Sequence, residues 1–277
     1  IYMRDEYPEV IEILKREIYK LEKENLLDRP IILRRGAGAY ICGEESAMIE
    51  SIEGKRGLPR HRPPYIAEIG LFNRPTLNHN IETLNWIPQI IDNGVNWFKN
   101  KGWNENHSGL RSYSVSGRVK NPGLKLAPAG IPLRNLIDDY CGGMQAGHEL
   151  KAFFPGGASG GILPANLVDL PLDFGVFEKY GGFIGSHAIV VLSHADSIKT
   201  VVVNTMRFFK HESCGQCTPC RSGTDKMIRL LENKNGELSL YRDLIKVMGD
   251  SSICGLGQAA SNCVDHLIRY FPDELLA

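Results

Sequence analysis

The clearest hydrophobic pattern in the chain predicts a helix over residues 7–27. Glutamate and lysine fill one face of this segment, and the other face carries four apolar residues at helical spacing: Val10, Leu14, Ile18 and Leu21. Short apolar runs on either side, at 1–4 and at Arg29–Leu33, predict two strands, the second of them buried. Strand, helix and strand in this order are typical of an α/β unit with a parallel sheet.

The pattern changes from helical to alternating after an Asn- and Gly-rich segment at 93–109, where we expect a domain boundary. The following residues predict a small α+β module, made of a hairpin around 121–123, a helix at Leu133–Tyr140 and strands at Lys151–Phe154 and up to Leu192. Its glycine-rich loop at 156–161 lacks the Lys-Ser or Lys-Thr of a phosphate-binding loop. We therefore expect a tight turn packed against a neighbour.

The last part of the chain is helical throughout. Four helices are expected, at about 197–212, 221–231, 239–248 and 257–270. Four short helices favour a bundle that carries its chemistry at one end. The sequence thus predicts an α/β part over 1–105, an α+β module over 106–195 and an all-α part over 196–277.

Composition and charge exclude several functional classes. With 277 residues, 43% of them hydrophobic, the chain can form two or three domains with buried cores. The 32 basic and 32 acidic residues cancel, which argues against nucleic acid or an anionic membrane as the main partner. The sequence shows neither a run of about 18 apolar residues, which a membrane span needs, nor a secretory signal. Seven cysteines without a disulfide framework indicate a reducing compartment, most simply the cytoplasm, and a soluble protein.

The strongest chemical signal is the motif CGQCTPC at 214–220. Thiolates are the ligands of iron–sulfur clusters, and three thiols at steps of three can converge on one inorganic cube. Zinc is the alternative, although structural zinc sites usually supply their ligands as two separated Cys-x-x-Cys pairs. For the fourth corner, Cys254 lies in a glycine-rich loop with room for a cube, whereas Cys263 lies on an apolar helix face where a free cysteine behaves as a small hydrophobe. The predicted ligands are Cys214, Cys217, Cys220 and Cys254.

A second candidate site follows the predicted second strand, where open α/β sheets place their ligands. Small residues at 36–39 let the backbone lie against a flat or phosphorylated molecule. Glu44 and Glu45 then precede a helix, where their alternative role is to complement its dipole. A lone Gly-x-Gly is a weak signal, so the residues alone leave the ligand open.

Two further polar loops adjoin this candidate site in sequence. The cation-rich segment 53–65 could meet phosphates or could be a solvated loop. The segment 75–83 precedes a helix that runs to about Asp92, and its Asn and Thr side chains could cap that helix or bind a ligand.

These motifs together resemble one known family over essentially the whole chain. The segments that carry the resemblance are GAGAYICGEE (36–45), SIEGKR (51–56), PP (63–64), PT (75–76), NIET (80–83), ESCGQCTPCR (212–221) and CGLG (254–257). The family is the flavoprotein subunit that oxidises NADH in respiratory complex I, with relatives in NAD-reducing hydrogenases and NAD-dependent formate dehydrogenases. The resemblance implies FMN in a Rossmann-like domain, a ubiquitin-like β-grasp (SLBB-like) module, and a helical bundle with one 4Fe–4S cluster.

The resemblance also implies roles for individual residues. Gly43 and Glu44 correspond to flavin contacts and Glu45 to a residue near the nicotinamide, so the two glutamates are the catalytic candidates. Asn80, followed by Ile81, corresponds to one of two asparagines that hold the phosphate side of FMN.

The sequence departs from the complex I pattern at three of these positions. His79 replaces the first asparagine, and Arg62 and Tyr65 replace the lysine and phenylalanine that contact NADH. The main glycine-rich flavin loop of the family should precede Ile1, so we expect the chain to be a fragment.

Among the relatives, HNIE (79–82) and PGGASGGILP (155–164) look most like the β (diaphorase) subunit of soluble, molybdenum-dependent NAD formate dehydrogenases. The resemblance then implies exchange of hydride between NAD(H) and FMN and single-electron transfer to or from the cluster. It also implies two partners, a small thioredoxin-like 2Fe–2S subunit and a larger iron–sulfur/molybdopterin subunit. The complex I subunit and the hydrogenase diaphorase are the alternatives within the family. A zinc-stabilised binding module and a structural subunit with a decayed flavin site are alternatives of other classes.

Overall fold

The N-terminal part of the chain forms a parallel two-stranded sheet followed by helices. The computed structural model describes residues 1–233 and 237–276, and the first elements are β1 (Tyr2–Met3), α1 (Pro8–Lys23), β2 (Arg34–Arg35), α2 (Glu45–Ile52), α3 (Ile81–Asn93) and α4 (Val95–Lys99). Pro8 opens α1, where its missing N–H is not needed. The predicted order of strand, helix and parallel strand is confirmed.

The second strand differs from its prediction. Instead of a buried strand at Arg29–Leu33, the pairing is centred on Arg34–Arg35, both exposed, and Ile32 is 72% exposed. The Ile32 carbonyl accepts a hydrogen bond from the Ile1 amine at 2.7 Å, so the apolar run only begins the ladder. Among the described residues β2 pairs with β1 alone, so the apolar run lacks the second neighbouring strand that burial in a sheet requires.

A five-stranded mixed sheet forms the middle of the chain. Its elements are β3 (Leu110–Gly117), β4 (Gly123–Pro128), α5 (Leu133–Asn135) with a π-helical continuation at Leu136–Tyr140, β5 (Leu150–Phe154), β6 (Leu163–Pro164) and β7 (Ala188–Ser193). The strand order is β4-β3-β7-β5-β6, with β3 parallel to β7 and the other neighbours antiparallel. Tyr113 and Val115 alternate into the core from β3, as the sequence pattern predicts.

Helices α3 and α4 pack against this sheet. The Glu82 carboxylate accepts a hydrogen bond from the Ser112 backbone amide at 2.8 Å. Trp86 of α3 and Phe98 of α4 place their ring centroids 5.9 Å apart, and the Phe98 ring lies where a Cβ on Gly109 would be. The start of α3 therefore lies beside the sheet.

The C-terminal part of the chain is helical, with α6 (Ile198–Glu212), α7 (Thr218–Glu232), α8 (Leu238–Ser251), α9 (Gly255–Ala259), α10 (Asn262–Tyr270) and α11 (Pro272–Leu276). Helix α7 begins three residues earlier than expected, so Cys220 lies in its first turn. The helix expected at 257–270 is broken at Ala260–Ser261, where the Ser261 carbonyl accepts hydrogen bonds from Val264 and Asp265 at the start of α10. No helix of residues 1–233 and 237–276 is long and apolar enough to cross a membrane.

One hydrophobic core joins the three parts of the chain. It contains Met206 and Phe209 of α6, Phe154 of the sheet, and Ile41 and Cys42 from the segment before α2. This shared core fixes the position of the glutamate segment relative to the helical cysteine region.

Candidate functional site

The glutamate pair lies where a 3₁₀ turn at Tyr40–Gly43 meets helix α2. Glu44 is the N-cap residue: its Oε2 accepts hydrogen bonds from the amides of Ser46 (3.1 Å) and Ala47 (2.9 Å) and from the Ser46 hydroxyl (2.5 Å). These bonds satisfy donors that the first turn of a helix leaves free, and the carboxylate also faces the positive end of the helix dipole. The capping alternative for Glu44 is therefore real.

Arg62 contacts both carboxylates. Its Nη2 bonds to Oε1 of Glu44 and lies 2.9 Å from Oε1 of Glu45. The Arg62 side chain is 39% exposed and the Glu45 side chain 33% exposed, so this charge cluster borders solvent. A guanidinium shared by two adjacent carboxylates offsets their mutual repulsion.

The segment that carries Arg62 is anchored to α2. The Arg60 backbone amide donates to the Ser46 hydroxyl at 2.9 Å, and its side chain donates to Glu50 at 2.6 Å. Ser46 is buried and links Arg60 to Glu44, so it organises the glutamate pair. Sequence reasoning missed Ser46, whose only signal was its position after two glutamates at a helix start.

The four predicted cluster cysteines lie on three local structures. Cys214 is in the loop before α7, Cys217 is the N-cap residue of α7, Cys220 is in its first turn, and Cys254 is the N-cap residue of α9. Gly215 has φ +79°, which lets the loop turn back between the first two thiols, and its amide donates to the Ser213 hydroxyl at 3.2 Å.

These thiols lie close enough to affect each other electrostatically. Burial, together with the charges of Cys217, Cys254 and Cys214, raises the pKa of the Cys220 thiol to about 11, against a hydrogen bond from Ser213. Helices α7 and α9 touch at this point, because a Cβ on Gly257 would lie 2.9 Å from Cβ of Cys220. Buried, mutually repelling thiols become thiolates only with a cation among them, which fits a bound metal centre.

Cys263 is placed in the core. It is fully buried, its Sγ lies 3.6 Å from the Ala260 carbonyl oxygen, and burial raises the pKa of its thiol to about 12. Within the described residues, no three His, Cys, Asp or Glu side chains are grouped so that they could hold a metal ion. A four-iron cluster separates its thiolates more widely than a single ion does, because each thiolate binds a different iron.

A cavity of about 550 Å³ connects the glutamate segment with the cysteine region. Gly43 and Glu44 line one side, Gly255 and Leu256 line another, and the glycine loop at 156–159 contributes a third. Burial raises the pKa of the Cys254 thiol, the amides of Gly257 and Leu256 oppose the rise, and the charges of Cys214 and Glu44 add to it. Glu44 therefore borders the same cavity as the residues that follow Cys254, within electrostatic reach of that thiol.

The glycine loop is packed as the sequence predicts. A Cβ on Gly160 would lie 2.3 Å from the Phe183 carbonyl oxygen, and one on Gly156 would lie 2.6 Å from the Gly185 amide. Its position on the cavity wall was not predicted. A loop of Gly and Ala residues has no local signal for the distant surface that it faces.

The other predicted ligand residues lie apart from the glutamates. Asn80 caps α3 by accepting a hydrogen bond from the Thr83 amide at 2.8 Å, and Ile81, 67% exposed, lines a cavity between α3 and the sheet. Tyr65 is 54% exposed, and its amide bonds to Glu68. Among the described residues, no hydrogen bond or ion pair joins Asn80, Ile81 or Tyr65 to the glutamate pair.

Two family models match the ends of the chain. Residues 1–89 match the Nuo51 FMN-binding domain, and residues 200–277 match the NADH-ubiquinone oxidoreductase-F iron–sulfur binding region. The first contains the glutamate pair, and the second contains all four predicted cluster cysteines.

Similar proteins match over nearly the whole chain. The F-type subunit of NADH-quinone oxidoreductase in Mycobacterium tuberculosis (strain H37Rv) is 39% identical over 100% of this chain and 65% of its own length. The protein of the same name in Rickettsia typhi is 38% identical, over 99% of this chain and 69% of its own length. A chain of the NAD⁺-reducing [NiFe]-hydrogenase in the H₂-reduced state has a TM-score of 0.87 and 33% identity, over 99% of this chain and 48% of that one.

The chain thus spans about two thirds of the curated relatives and about half of the hydrogenase chain. The sequence identity, the shared fold and the two matched regions agree with the resemblance that the motifs carry. The chain belongs to the NADH-quinone oxidoreductase-F family.

Proposed function

We propose that this chain is part of a subunit that exchanges hydride between NAD(H) and FMN and passes single electrons to or from a 4Fe–4S cluster. The observation that carries the proposal is the single cavity bordered by Glu44 on one side and by Leu256, close to Cys254 in sequence, on the other. Electron transfer between two centres requires them to be close, and this cavity brings the glutamate segment beside a predicted cluster ligand.

FMN supplies the conversion between a hydride, which carries two electrons, and the single electrons that an iron–sulfur cluster accepts. The chain supplies position and charge. Gly43 leaves open space where a side chain would stand, since a Cβ there would have no neighbour within 4 Å, so a flat ring can approach the backbone. Glu44 and Glu45 place negative charge beside that space, and Arg62 limits it.

The remaining contacts are proposed from the resemblance. Arg62 and Tyr65 would contact NAD(H), and Asn80 with Ile81 would contact the phosphate side of FMN. Asn80 uses its carbonyl oxygen as a helix cap, so its amide NH₂ is the group left for a phosphate.

The cluster ligands are proposed to be Cys214, Cys217, Cys220 and Cys254. Their mutual electrostatic influence supports one shared centre. The zinc alternative has less support, because the described residues offer no group of side chains that could hold a metal ion.

Three structural modules follow from the same proposal. Residues 1–105 would be the C-terminal part of a Rossmann-like FMN domain and residues 196–277 the cluster-binding helical domain. Residues 106–195 would be a β-grasp module, a proposal supported by the order β4-β3-β7-β5-β6 with its central parallel pair.

The parent complex is a separate proposal. The segment at 79–82 and the loop at 155–164 favour a soluble, cytoplasmic formate dehydrogenase with a thioredoxin-like 2Fe–2S partner and a molybdopterin partner. The similar proteins named above instead favour complex I or an NAD-reducing hydrogenase. Purification of the native complex, with identification of its subunits and assay of molybdenum and nickel, separates these possibilities.

The function is tested on the full-length protein, purified anaerobically. We expect bound FMN, NADH-dependent reduction of ferricyanide, and an EPR signal that appears on reduction with dithionite. One zinc per chain with no EPR signal would overturn the cluster assignment. An intact EPR signal without NADH-dependent activity, even with added FMN, would favour a structural subunit.

A further inference from the structure

Arg56 connects the loop before Arg62 to the predicted cluster loop. Its Nη2 donates a hydrogen bond to the backbone carbonyl of Cys214 at 3.2 Å, across 158 positions of sequence. Arg56 also lines a cavity of about 490 Å³ with Cys214 and Ser213. A positive charge from a distant segment is therefore held at the backbone of one predicted cluster ligand.

The residues on either side hold Arg56 in place. A Cβ on Gly57 would lie 2.6 Å from the Sγ of the buried Cys42, so the backbone there packs directly on that side chain. Lys55 on the other side pairs with Glu53 at 2.7 Å and with Glu50 at 3.7 Å, and so directs its charge to α2. Adjacent cations on one loop thus have different partners.

A second guanidinium holds the same cysteine loop from within its own helix. Arg221 donates to the Gly215 carbonyl and, at 3.3 Å, to the Thr218 hydroxyl. The carbonyls of Cys214 and Gly215 thus each accept from a different arginine. Arg221 belongs to the cysteine motif itself, whereas only folding brings Arg56 to the loop.

A fixed cation beside an iron–sulfur cluster affects its reduction. Reduction adds one electron to the cluster, and a nearby positive charge stabilises the more negative product. Net charge, hydrogen bonding and solvent exposure are the factors by which a protein sets a cluster potential. The side chain of Arg56 is exposed, so solvent weakens its effect without removing it.

We propose that Arg56 is a positioning residue for the cluster loop and raises the reduction potential of the cluster bound by Cys214, Cys217, Cys220 and Cys254. This inference rests on the proposed function only in requiring that these cysteines carry a 4Fe–4S cluster. It adds a residue from the FMN-binding region to the determinants of the cluster potential.

The test is an EPR-monitored titration of the full-length protein with dithionite as the electron donor. The variants are Arg56→Gln, which removes the charge, Arg56→Lys, which keeps it, and Lys55→Gln, which removes the adjacent charge. We expect Arg56→Gln to make cluster reduction about threefold to tenfold less favourable, where tenfold for one electron is about 59 mV. Arg56→Lys should restore most of the shift, and Lys55→Gln should leave the potential within about twofold of the wild type in the same terms.

The outcomes separate the two proposals. A wild-type protein without a cluster contradicts the proposed function. Clusters in all proteins with equal potentials, or equal shifts in Arg56→Gln and Lys55→Gln, overturn the role of Arg56. If Arg56→Gln loses its cluster, recovery of both cluster and potential in Arg56→Lys supports the role, and loss of the cluster in both variants overturns the electrostatic part of it.

Discussion

The carboxylate of Glu44 caps helix α2 with one oxygen and contacts the guanidinium of Arg62 with the other. The same side chain therefore fixes the start of a helix and carries charge at the edge of the cavity that leads toward Cys254. A structural role and a role in cofactor binding do not exclude each other here, because the two oxygens have different partners.

Replacement of Glu44 should separate the cap from the charge. We expect Glu44→Ala to lower the free energy of unfolding by about 1–2 kcal/mol, because the amides of Ser46 and Ala47 lose their acceptor. Glu44→Gln keeps an oxygen acceptor and should cost less. Urea unfolding followed by far-UV circular dichroism measures both, and equal losses would show that the ion pair with Arg62, and not the cap, carries the stability.

Two cysteines of the C-terminal region should respond in opposite ways to replacement. We expect Cys254→Ala to lose most of the iron and acid-labile sulfide per chain, since it removes a predicted ligand. Cys263→Ala should keep the cluster and lower the free energy of unfolding by about 1 kcal/mol, because it removes a fully buried sulfur from the core. Loss of iron in Cys263→Ala but not in Cys254→Ala would contradict the ligand assignment.

Asp196 should stabilise the junction between the sheet and α6. The guanidinium of Arg118, at 2.6 Å, holds the pKa of the Asp196 carboxyl well below its usual range, and the amide and hydroxyl of Ser193 add to this effect. A lowered folded-state pKa means stability that is fully present above about pH 4, the unfolded value, and is lost as the pH falls through the folded value.

We therefore expect Asp196→Asn to lower the free energy of unfolding at pH 7 by about 1–3 kcal/mol. The loss should shrink as the pH falls below about 4, toward the folded pKa. Denaturant unfolding at a series of pH values measures the difference. Asp169→Asn is the control, because Asp169 pairs with Arg134 on the surface and should have little effect. Equal losses in the two variants would refute a special role for the junction.

His266 should make stability depend on pH between about 5 and 7. Its ring is fully buried, Nδ1 accepts a hydrogen bond from the Ile162 amide at 3.0 Å, and burial lowers the pKa of the imidazole. Because the unfolded histidine binds a proton more readily, stability should fall as the pH drops below about 6.5. His266→Gln keeps an acceptor for Ile162 and should reduce this slope.

His187 contributes in the same direction, since burial also lowers the pKa of its imidazole, so part of the slope should remain in His266→Gln. The exposed His61 provides the control, and His61→Gln should leave the slope unchanged. An unchanged slope in His266→Gln would show that His266 does not titrate on unfolding.

Local patterns predicted most of the helices and strands, because the spacing of apolar residues depends on near neighbours. The prediction was wrong where an element depends on what lies beside it. The apolar run before Arg34 has one paired strand and stays largely exposed at Ile32, and the last helix breaks at Ser261 although its apolar spacing continues.

The sequence by itself determined the candidate chemistry: the cysteine motif, the glutamate pair at a helix start, and the family. Only the tertiary structure decided which groups meet, such as Arg56 with the Cys214 carbonyl and Glu44 with the cavity beside Leu256. Such contacts form through the shared core that joins Ile41, Phe154 and α6, and no short stretch of sequence contains the packing of residues from all three parts of the chain.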